Sequence, residues 1–126
     1  MPNYKELDRV FSIWIRRRDA NECTGRVKCC TCEAAQHWAE MDAGHFIPRS
    51  NMATRWNERN VHPQDKLCNR VKDGEYEKHR DYINERYGYD AAEELERLGK
   101  TEVKFMQFEI DQMTQDYKDK IKALEL

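Results

Sequence analysis

The feature that most constrains this chain is a concentration of metal-binding and proton-transferring side chains between residues 29 and 72. The segment holds three of the four histidines and begins with the pair Cys29 and Cys32. Two short runs, residues 42–46 and 60–69, carry most of the other groups of this kind. Packing alone does not require so many of them together, so we expect fold and function to be organised around this segment.

The size of the chain predicts one small domain. With 126 residues, 39% of them hydrophobic and 37% charged, it suits a thin core that a bound metal would help to hold together. We expect a single domain over residues 1–126. Its parts are an N-terminal helix (1–20), a metal-binding core (29–74) and a helical C-terminal part (75–126).

The sequence also indicates an intracellular protein. No apolar stretch approaches the roughly 20 residues of a membrane helix, and residues 1–6 lack the charged and then apolar order of a signal peptide. We therefore expect a reducing compartment and no membrane partner. In that compartment the five cysteines favour metal ligation over disulfides.

Hydrophobic periodicity predicts helices at both ends of the chain. Residues 4–18 form an amphipathic pattern, and residues 75–87 and 90–98 predict two helices that end at glycines. The longest helix, 101–124, has near-heptad apolar spacing. It needs an apolar partner, which is either helix 4–18 or a second copy of the chain.

The middle of the chain shows shorter patterns. Residues 38–47 predict an extended pair, and residues 48–60 predict an ordered loop without sustained periodicity. A short helix over 66–71 is expected to carry Cys68 and Asn69.

Cys29 and Cys32 have the spacing with which one tight turn presents two thiolates to a single ion. The corresponding half-site downstream is Asp65 and Cys68, in which a carboxylate stands in place of a thiol. We predict a structural Zn²⁺ held by the three cysteines, with Asp65 as the fourth ligand. Weak or absent zinc binding is the alternative. Three other fourth ligands stay open: Cys23, Cys30 and His37.

The same segment is locally basic although the whole chain carries a net charge of -2. Between Arg49 and Lys72 there are six cations against two anions. A basic face beside a metal site indicates a polyanionic partner. An ordinary solvated surface with a bias in charge is the alternative.

These side chains together indicate metal-assisted hydrolysis of a phosphodiester. His45 is the best general base, because imidazole takes up a proton near neutral pH. Asp42 and Asn69 are candidate ligands for a hard divalent cation, Mg²⁺ or Mn²⁺. His62 is a further candidate ligand, with a structural or phosphate-contacting role as its alternative.

The candidate residues belong to a longer pattern. It consists of Asp-Ala-Gly-His-Phe at 42–46, Arg-x-Asn-Glu-Arg-Asn-Val-His-x-Gln at 55–64 and Cys-Asn-x-x-Lys-x-Gly at 68–74. The pattern resembles the NinG/Rap family of phage recombination nucleases, within the wider HNH, or ββα-metal, endonucleases, from about Trp14 to the C-terminus. The resemblance implies an α+β fold with a small ββα-metal, HNH-like zinc-knuckle core. An N-terminal helix and C-terminal helices, one of them long, flank this core.

The resemblance also implies roles for single residues. His45 takes the first HNH position, that of the general base, and Asn60 the middle one, which braces the loop that carries the base. Asn69 stands where many HNH enzymes have a metal-binding histidine, which makes this an H-N-N variant. Asp42 is the expected carboxylate partner.

Two positions depart from expected patterns, one from that of many HNH proteins and one from that of the NinG/Rap family. Gly44 stands directly before the base, where many HNH proteins have an acidic residue, and Asp65 stands where the family pattern has cysteine. The two remaining histidines, His37 and His79, are expected to be ordinary surface or helix residues.

The resemblance implies a metal-dependent DNA endonuclease that cuts branched recombination intermediates, Holliday junctions and D-loops. We expect it in the cytoplasm of a bacterial host, as a homodimer through helix 101–124. The predicted DNA contacts are Arg49, Arg55, Arg59, Arg70 and Lys72.

Two other functions compete with the nuclease. One is a zinc-stabilised DNA-binding module without catalytic activity. The presence of Asp65 in place of cysteine favours this alternative. The weaker one is a redox protein that uses Cys29 and Cys32, but the chain lacks the alternation of strands and helices of a thioredoxin-like fold.

Overall fold

The computed structural model describes residues 2–125. Two short antiparallel strand pairs and a set of helices make up the fold, so the predicted mixed α+β class is confirmed. The strands are β1 (Arg26–Lys28), β2 (Ala35–His37), β3 (Asp42–His45) and β4 (Val61–Gln64). The helices are α1 (Lys5–Arg18), α2 (Met52–Arg55), α3 (Tyr76–Tyr87), α4 (Ala91–Leu98) and α5 (Gln107–Leu124). A 3₁₀ turn (Trp38–Glu40) and a π-helical turn (Leu67–Val71) complete them.

The main core lies between α1 and α5. Phe11 and Ile15 of α1 are buried together with Ile110 and Tyr117 of α5, and the rings of Phe11 and Tyr117 meet edge-on at 5.0 Å. The apolar stripe of the long helix therefore packs on the N-terminal helix of the same chain, one of its two expected partners. The homodimer stays a prediction.

The long helix starts later than the sequence predicts, at Gln107 rather than at residue 101. The preceding residues 101–106 are not helical, and Phe105 meets the ring of Trp56 edge-on at 5.4 Å. The Glu109 carboxylate accepts a hydrogen bond from the Met106 N–H, which satisfies one of the free donors at a helix start. Burial of Phe105 and this cap fix the start of the helix.

Strands β3 and β4 form the part of the fold that carries most of the candidate residues. They are antiparallel, with His45 opposite Val61 and Gly44 opposite His62, and the π-helical turn follows β4 directly. Three local predictions are corrected here. The extended segment begins at Asp42 after the 3₁₀ turn, the predicted loop 48–60 contains α2, and the predicted helix 66–71 is the π-helical turn.

Helices α3 and α4 cover the end of β3. Ile83 of α3 and Leu95 of α4 are buried against Phe46 and Ile47, which follow His45. The C-terminal helices thus hold the chain in place just beyond the candidate base. Within residues 2–125 no helix combines the length and the apolar character needed to cross a bilayer.

Candidate functional site

Four side chains meet between the β1–β2 turn and the π-helical turn. The Sγ atoms of Cys29, Cys32 and Cys68 and a carboxylate oxygen of Asp65 all lie within 4.8 Å of one another. This grouping, which the sequence predicted, is confirmed. Three thiols and one carboxylate at this spacing fit a four-coordinate metal such as zinc. The other cysteines and His37 are outside the group.

Two of the four groups, Cys29 and Asp65, are ionised at neutral pH, whereas burial raises the pKa of the Cys32 and Cys68 thiols. Hydrogen bonds from Cys30 and Thr31 and from the backbone N–H of Asp65 outweigh burial and lower the pKa of Cys29 to about 5. The Cys32 thiol donates to Asp65 Oδ2 at 2.7 Å. This bond and the Cys68 N–H lower the pKa of Asp65 to about 2. A thiolate and a carboxylate are the forms that bind metal.

A second group of predicted residues lines a cleft of about 500 Å³ on the other side of the π-helical turn. Asn69 Nδ2 donates to Asp42 Oδ2 at 2.9 Å, so the amide and the carboxylate lie side by side. Arg70 donates to both carboxylate oxygens at 2.8 and 2.9 Å. The cleft is lined by Ser12, Asp42, Ala43, His45, Arg49, Asn69 and Arg70.

The electrostatics of Asp42 follow from these contacts. Burial raises its pKa, but the hydrogen bonds from Arg70 and Asn69 outweigh burial, so the pKa lies below its usual value. Asp42 is therefore a carboxylate at neutral pH. Its oxygens and the amide oxygen of Asn69 are hard donors that suit Mg²⁺ or Mn²⁺.

His45 is held in one orientation by the backbone of α2. Its Nε2 lies 3.0 Å from the carbonyl oxygen of Arg55, and because a carbonyl only accepts, Nε2 carries the proton. Nδ1 then holds the free lone pair. Burial, with the nearby charge of Arg49, lowers the pKa of His45 to about 4. The imidazole is neutral at physiological pH, and its lowered pKa makes it a weaker base than a free imidazole.

Asn60 joins the two segments around His45. Its Oδ1 accepts from the Ile47 N–H at 2.8 Å, and its Nδ2 donates to the carbonyls of Ile47 and Thr54. Asn60 is fully buried and does not line the cleft. Asn60 therefore ties the backbone after His45 to α2, and its bracing role in catalysis stays a prediction.

Gly44 occupies a position where there is no space for a larger residue. A Cβ at this position would lie 2.1 Å from Gln64 Oε1, so no side chain fits directly before His45. Gln64, which sequence reasoning missed, donates to Thr31 Oγ1 at 3.0 Å and to the Gly74 carbonyl at 2.8 Å. It connects the loop of the cysteine cluster to the end of the π-helical turn.

The second missed residue is Asp8 of α1. Its carboxylate accepts two hydrogen bonds from Arg55, at 3.0 and 2.6 Å, and one from Trp56 Nε1 at 3.0 Å. Arg55 is buried, and its guanidinium group forms an ion pair with Asp8. The prediction that Arg55 contacts DNA is therefore wrong, and its contribution to the site is the carbonyl that orients His45.

His62 does not reach the cleft, which corrects its prediction as a metal ligand. Its Nδ1 lies 3.1 Å from His79 Nε2, and its Nε2 lies 2.9 Å from the hydroxyl of Tyr87. His62 and His79 are both fully buried. His79 is therefore a core residue rather than an ordinary surface residue, because α3 packs across β4.

The other predicted DNA contacts differ in position. Arg49 and Arg70 line the cleft, while Arg59 and Lys72 are exposed outside it. The guanidinium group of Arg59 lies over the ring of Tyr87 at 5.3 Å. All four remain accessible to an anionic partner.

The two clusters are connected through neighbouring residues of the π-helical turn. Cys68 contributes its thiol to the metal-binding group, and Asn69 contributes its amide to the cleft. The carbonyl of Asp65 also accepts a hydrogen bond from the Asn69 N–H at 3.0 Å. A metal held by the cysteine cluster would therefore also fix the position of Asn69.

Fold and site together define a small α+β protein in which a cluster of three cysteines and an aspartate that could hold a metal lies beside a His-Asp-Asn cleft. The sequence profile of the family described as NinG, Bacteriophage Lambda NinG protein, matches residues 3–126. The chain belongs to this family.

Curated relatives agree with this assignment. The chain is 31% identical over 124 residues to protein ninG of Salmonella phage P22, covering 91% of this chain and 57% of the relative. It is 33% identical over 95 residues to protein ninG of Escherichia phage lambda, covering 73% of this chain and 43% of the relative. The chain thus spans about half the length of these relatives. No solved structure matches it.

Proposed function

We propose that this NinG-family chain is a metal-dependent DNA endonuclease of the HNH type that acts on branched recombination intermediates. The observation that carries the proposal is the convergence of Asp42, His45 and Asn69 on one cleft with two arginines. A base, two oxygen ligands and cations for phosphate are the groups that hydrolysis of a phosphodiester requires. The order of β3, β4 and the π-helical turn supports a ββα-metal centre.

His45 acts as the general base. Its Nε2–H bond to the Arg55 carbonyl leaves Nδ1 to accept a proton from the attacking water. Because the imidazole is neutral at pH 7, Nδ1 of His45 carries no proton that it would have to lose before the reaction. Asn60 holds the Ile47 backbone beyond the base, which limits the movement of His45 relative to the cleft.

Asp42 and Asn69 would hold the divalent cation, Mg²⁺ or Mn²⁺, through their side-chain oxygens. When bound, such an ion stabilises negative charge on the phosphoryl oxygens and on the leaving group. Arg70 now occupies both oxygens of Asp42. Its positive charge competes with an ion for the carboxylate, so movement of Arg70 away from Asp42 would favour ion binding and free its guanidinium group for a phosphate.

The assembly is part of the proposal. A two-fold dimer through α5 would present two clefts to the symmetric strands of a four-way junction, and the bacterial cytoplasm would keep the thiols reduced. Sedimentation that shows a monomer at high micromolar concentration would contradict the dimer.

The decisive experiment compares wild type with His45→Ala on a synthetic four-way junction and on a linear duplex, with and without Mg²⁺ or Mn²⁺. Wild type is expected to cut the junction only with the ion, and His45→Ala to lose at least about 100-fold in rate. His37→Ala replaces an exposed histidine outside the cleft and should cut like wild type. Equal rates for His45→Ala and wild type would remove His45 from the mechanism.

A zinc-stabilised DNA-binding module is the second candidate. The contact that favours it is the Arg70–Asp42 pair, in which a guanidinium group already balances the charge of the carboxylate that would hold the ion. This function predicts junction binding without cleavage under every ion condition, for wild type and His45→Ala alike.

A further inference from the structure

The π-helical turn presents an apolar pair to solvent. Leu67 and Val71 are 54% and 72% exposed, whereas Cys68, between them, is buried in the cysteine cluster. The Lys72 N–H donates to the Leu67 carbonyl at 3.0 Å, the i to i+5 bond of a π-helix, a conformation that is frequent at functional sites. With its wider turn, residues four apart project to nearly the same side.

The surroundings of this pair favour a polyanion. Residues 66–72 include Lys66, Arg70 and Lys72 and no acidic residue, although Arg70 pairs with Asp42 and the Lys72 ammonium group lies 4.0 Å from Glu75. All three cations are exposed. Cations beside apolar side chains match the two surfaces of a nucleic acid, since phosphates attract the cations and unstacked base faces accept the apolar groups.

We propose that Leu67 and Val71 form a wedge that inserts between neighbouring bases of bound DNA and gives the protein its preference for branched substrates. The proposal rests on DNA as the substrate of the adjacent cleft, because Asn69 belongs to the same turn as the wedge. Insertion into continuous duplex requires unstacking a base step, whereas bases at a branch point are already partly unstacked. An apolar wedge therefore binds more favourably at a branch.

The test measures unstacking without cleavage. A 2-aminopurine is placed at the centre of a four-way junction or in the same sequence of a linear duplex, and protein is added in buffer without Mg²⁺ or Mn²⁺. Wild type is expected to raise the fluorescence of the junction and to bind it more tightly than the duplex. Leu67→Ser/Val71→Ser should abolish the rise and reduce the preference by about tenfold.

Three variants separate the wedge from other effects. Phe108→Ser changes a side chain that is also 72% exposed but lies on α5, and it should behave like wild type. Leu67→Met keeps an apolar side chain and should retain the fluorescence rise. Lys72→Ala should weaken binding to the junction and to the duplex by similar factors, because phosphate contacts carry no branch preference.

The outcomes separate this proposal from the nuclease. A double serine variant that keeps both the fluorescence rise and the junction preference overturns the wedge, even if wild type cuts the junction with Mg²⁺. A rise that depends on Leu67, in a protein that cuts nothing, supports the wedge and overturns the nuclease. Absence of DNA binding by wild type overturns both.

Discussion

Asp65 contributes the single oxygen to a group of ligands that are otherwise sulfur. Its carboxylate accepts two hydrogen bonds that stabilise the ionised form, one from the Cys32 thiol at 2.7 Å and one from the Cys68 N–H at 2.8 Å. The second also fixes the start of the π-helical turn. Asp65 therefore acts both as a candidate ligand and as a local cap, and a replacement should separate these effects.

We expect Asp65→Cys to bind Zn²⁺ more tightly than wild type and Asp65→Ala to bind it more weakly, each by about tenfold or more. The reason is that thiolates are the preferred ligands of structural zinc, whereas alanine removes a ligand. Competition with a chromophoric chelator at neutral pH measures the affinities. Cys23→Ser replaces an exposed cysteine outside the cluster and should leave the affinity unchanged. If Asp65→Ala binds Zn²⁺ as tightly as wild type, the fourth ligand is a residue other than Asp65.

The elements of the fold were predictable where one local pattern decides them. The amphipathic stripe of α1 and the glycine after α3 gave these helices nearly their observed bounds. The start of α5 was not predictable, because its position depends on Phe105 meeting Trp56, 49 residues away in sequence. A pattern within 101–124 contains no information about that contact.

The residues of the candidate site also divide into those that a local sequence pattern identifies and those that depend on distant contacts. The Cys-x-x-Cys spacing and the 42–46 run identified Cys29, Cys32, Asp42 and His45, which the structure brings to two clusters. The burial of His79 and the role of Asp8 depend on contacts between distant segments, with separations of 17 residues to His62 and 47 residues to Arg55. Neither has a local signal.

The contact between α1 and α2 carries its own prediction. Asp8→Asn removes the charge opposite the buried Arg55 guanidinium, so we expect the free energy of unfolding to fall by about 1–3 kcal/mol. The Arg55 carbonyl should then hold His45 less firmly. Urea denaturation measures the first effect, and long-range ¹H–¹⁵N spectra of the histidine rings measure the second, as a loss of the single Nε2–H tautomer.

Glu6→Gln is the matched control for Asp8→Asn. Glu6 lies on the same helix and pairs with Arg9, but both side chains of that pair are exposed, so the change should alter stability little. If Asp8→Asn unfolds at the same urea concentration as wild type and keeps the tautomer of His45, the contact of α1 with Arg55 does not position His45.

At the scale of the whole molecule, the fold brings together a pair of buried histidines that couples its stability to pH. His62 and His79 are fully buried in contact with each other. Burial, together with repulsion from the protonated form of His79, lowers the pKa of His62 to about 2. Burial and repulsion from the protonated form of His45 lower the pKa of His79 to about 4. Both rings are neutral in the folded protein at pH 7.

The sign of the effect follows from these directions. In the unfolded chain both histidines titrate near pH 6.5, so between about pH 6.5 and 4 the unfolded state binds two protons that the native state does not. Stability from this pair is fully present above pH 6.5 and is lost as pH falls toward 4. Each histidine contributes a slope of about 1.4 kcal/mol per pH unit, and the pair about 3 kcal/mol per unit.

Urea denaturation of wild type at pH 7, 6 and 5 measures this slope, and His79→Gln isolates one histidine. The variant should be less stable at pH 7 but lose stability with acid more slowly, by about 1.4 kcal/mol per pH unit. His37→Gln, which removes an exposed histidine, should keep the wild-type slope. His45, whose pKa burial also lowers, adds to the slope of every variant, so the difference between variants isolates the buried pair. All variants are compared at one zinc concentration, because zinc binding by the cysteine cluster depends on pH. Identical slopes for wild type and His79→Gln would mean that the buried pair does not control acid stability.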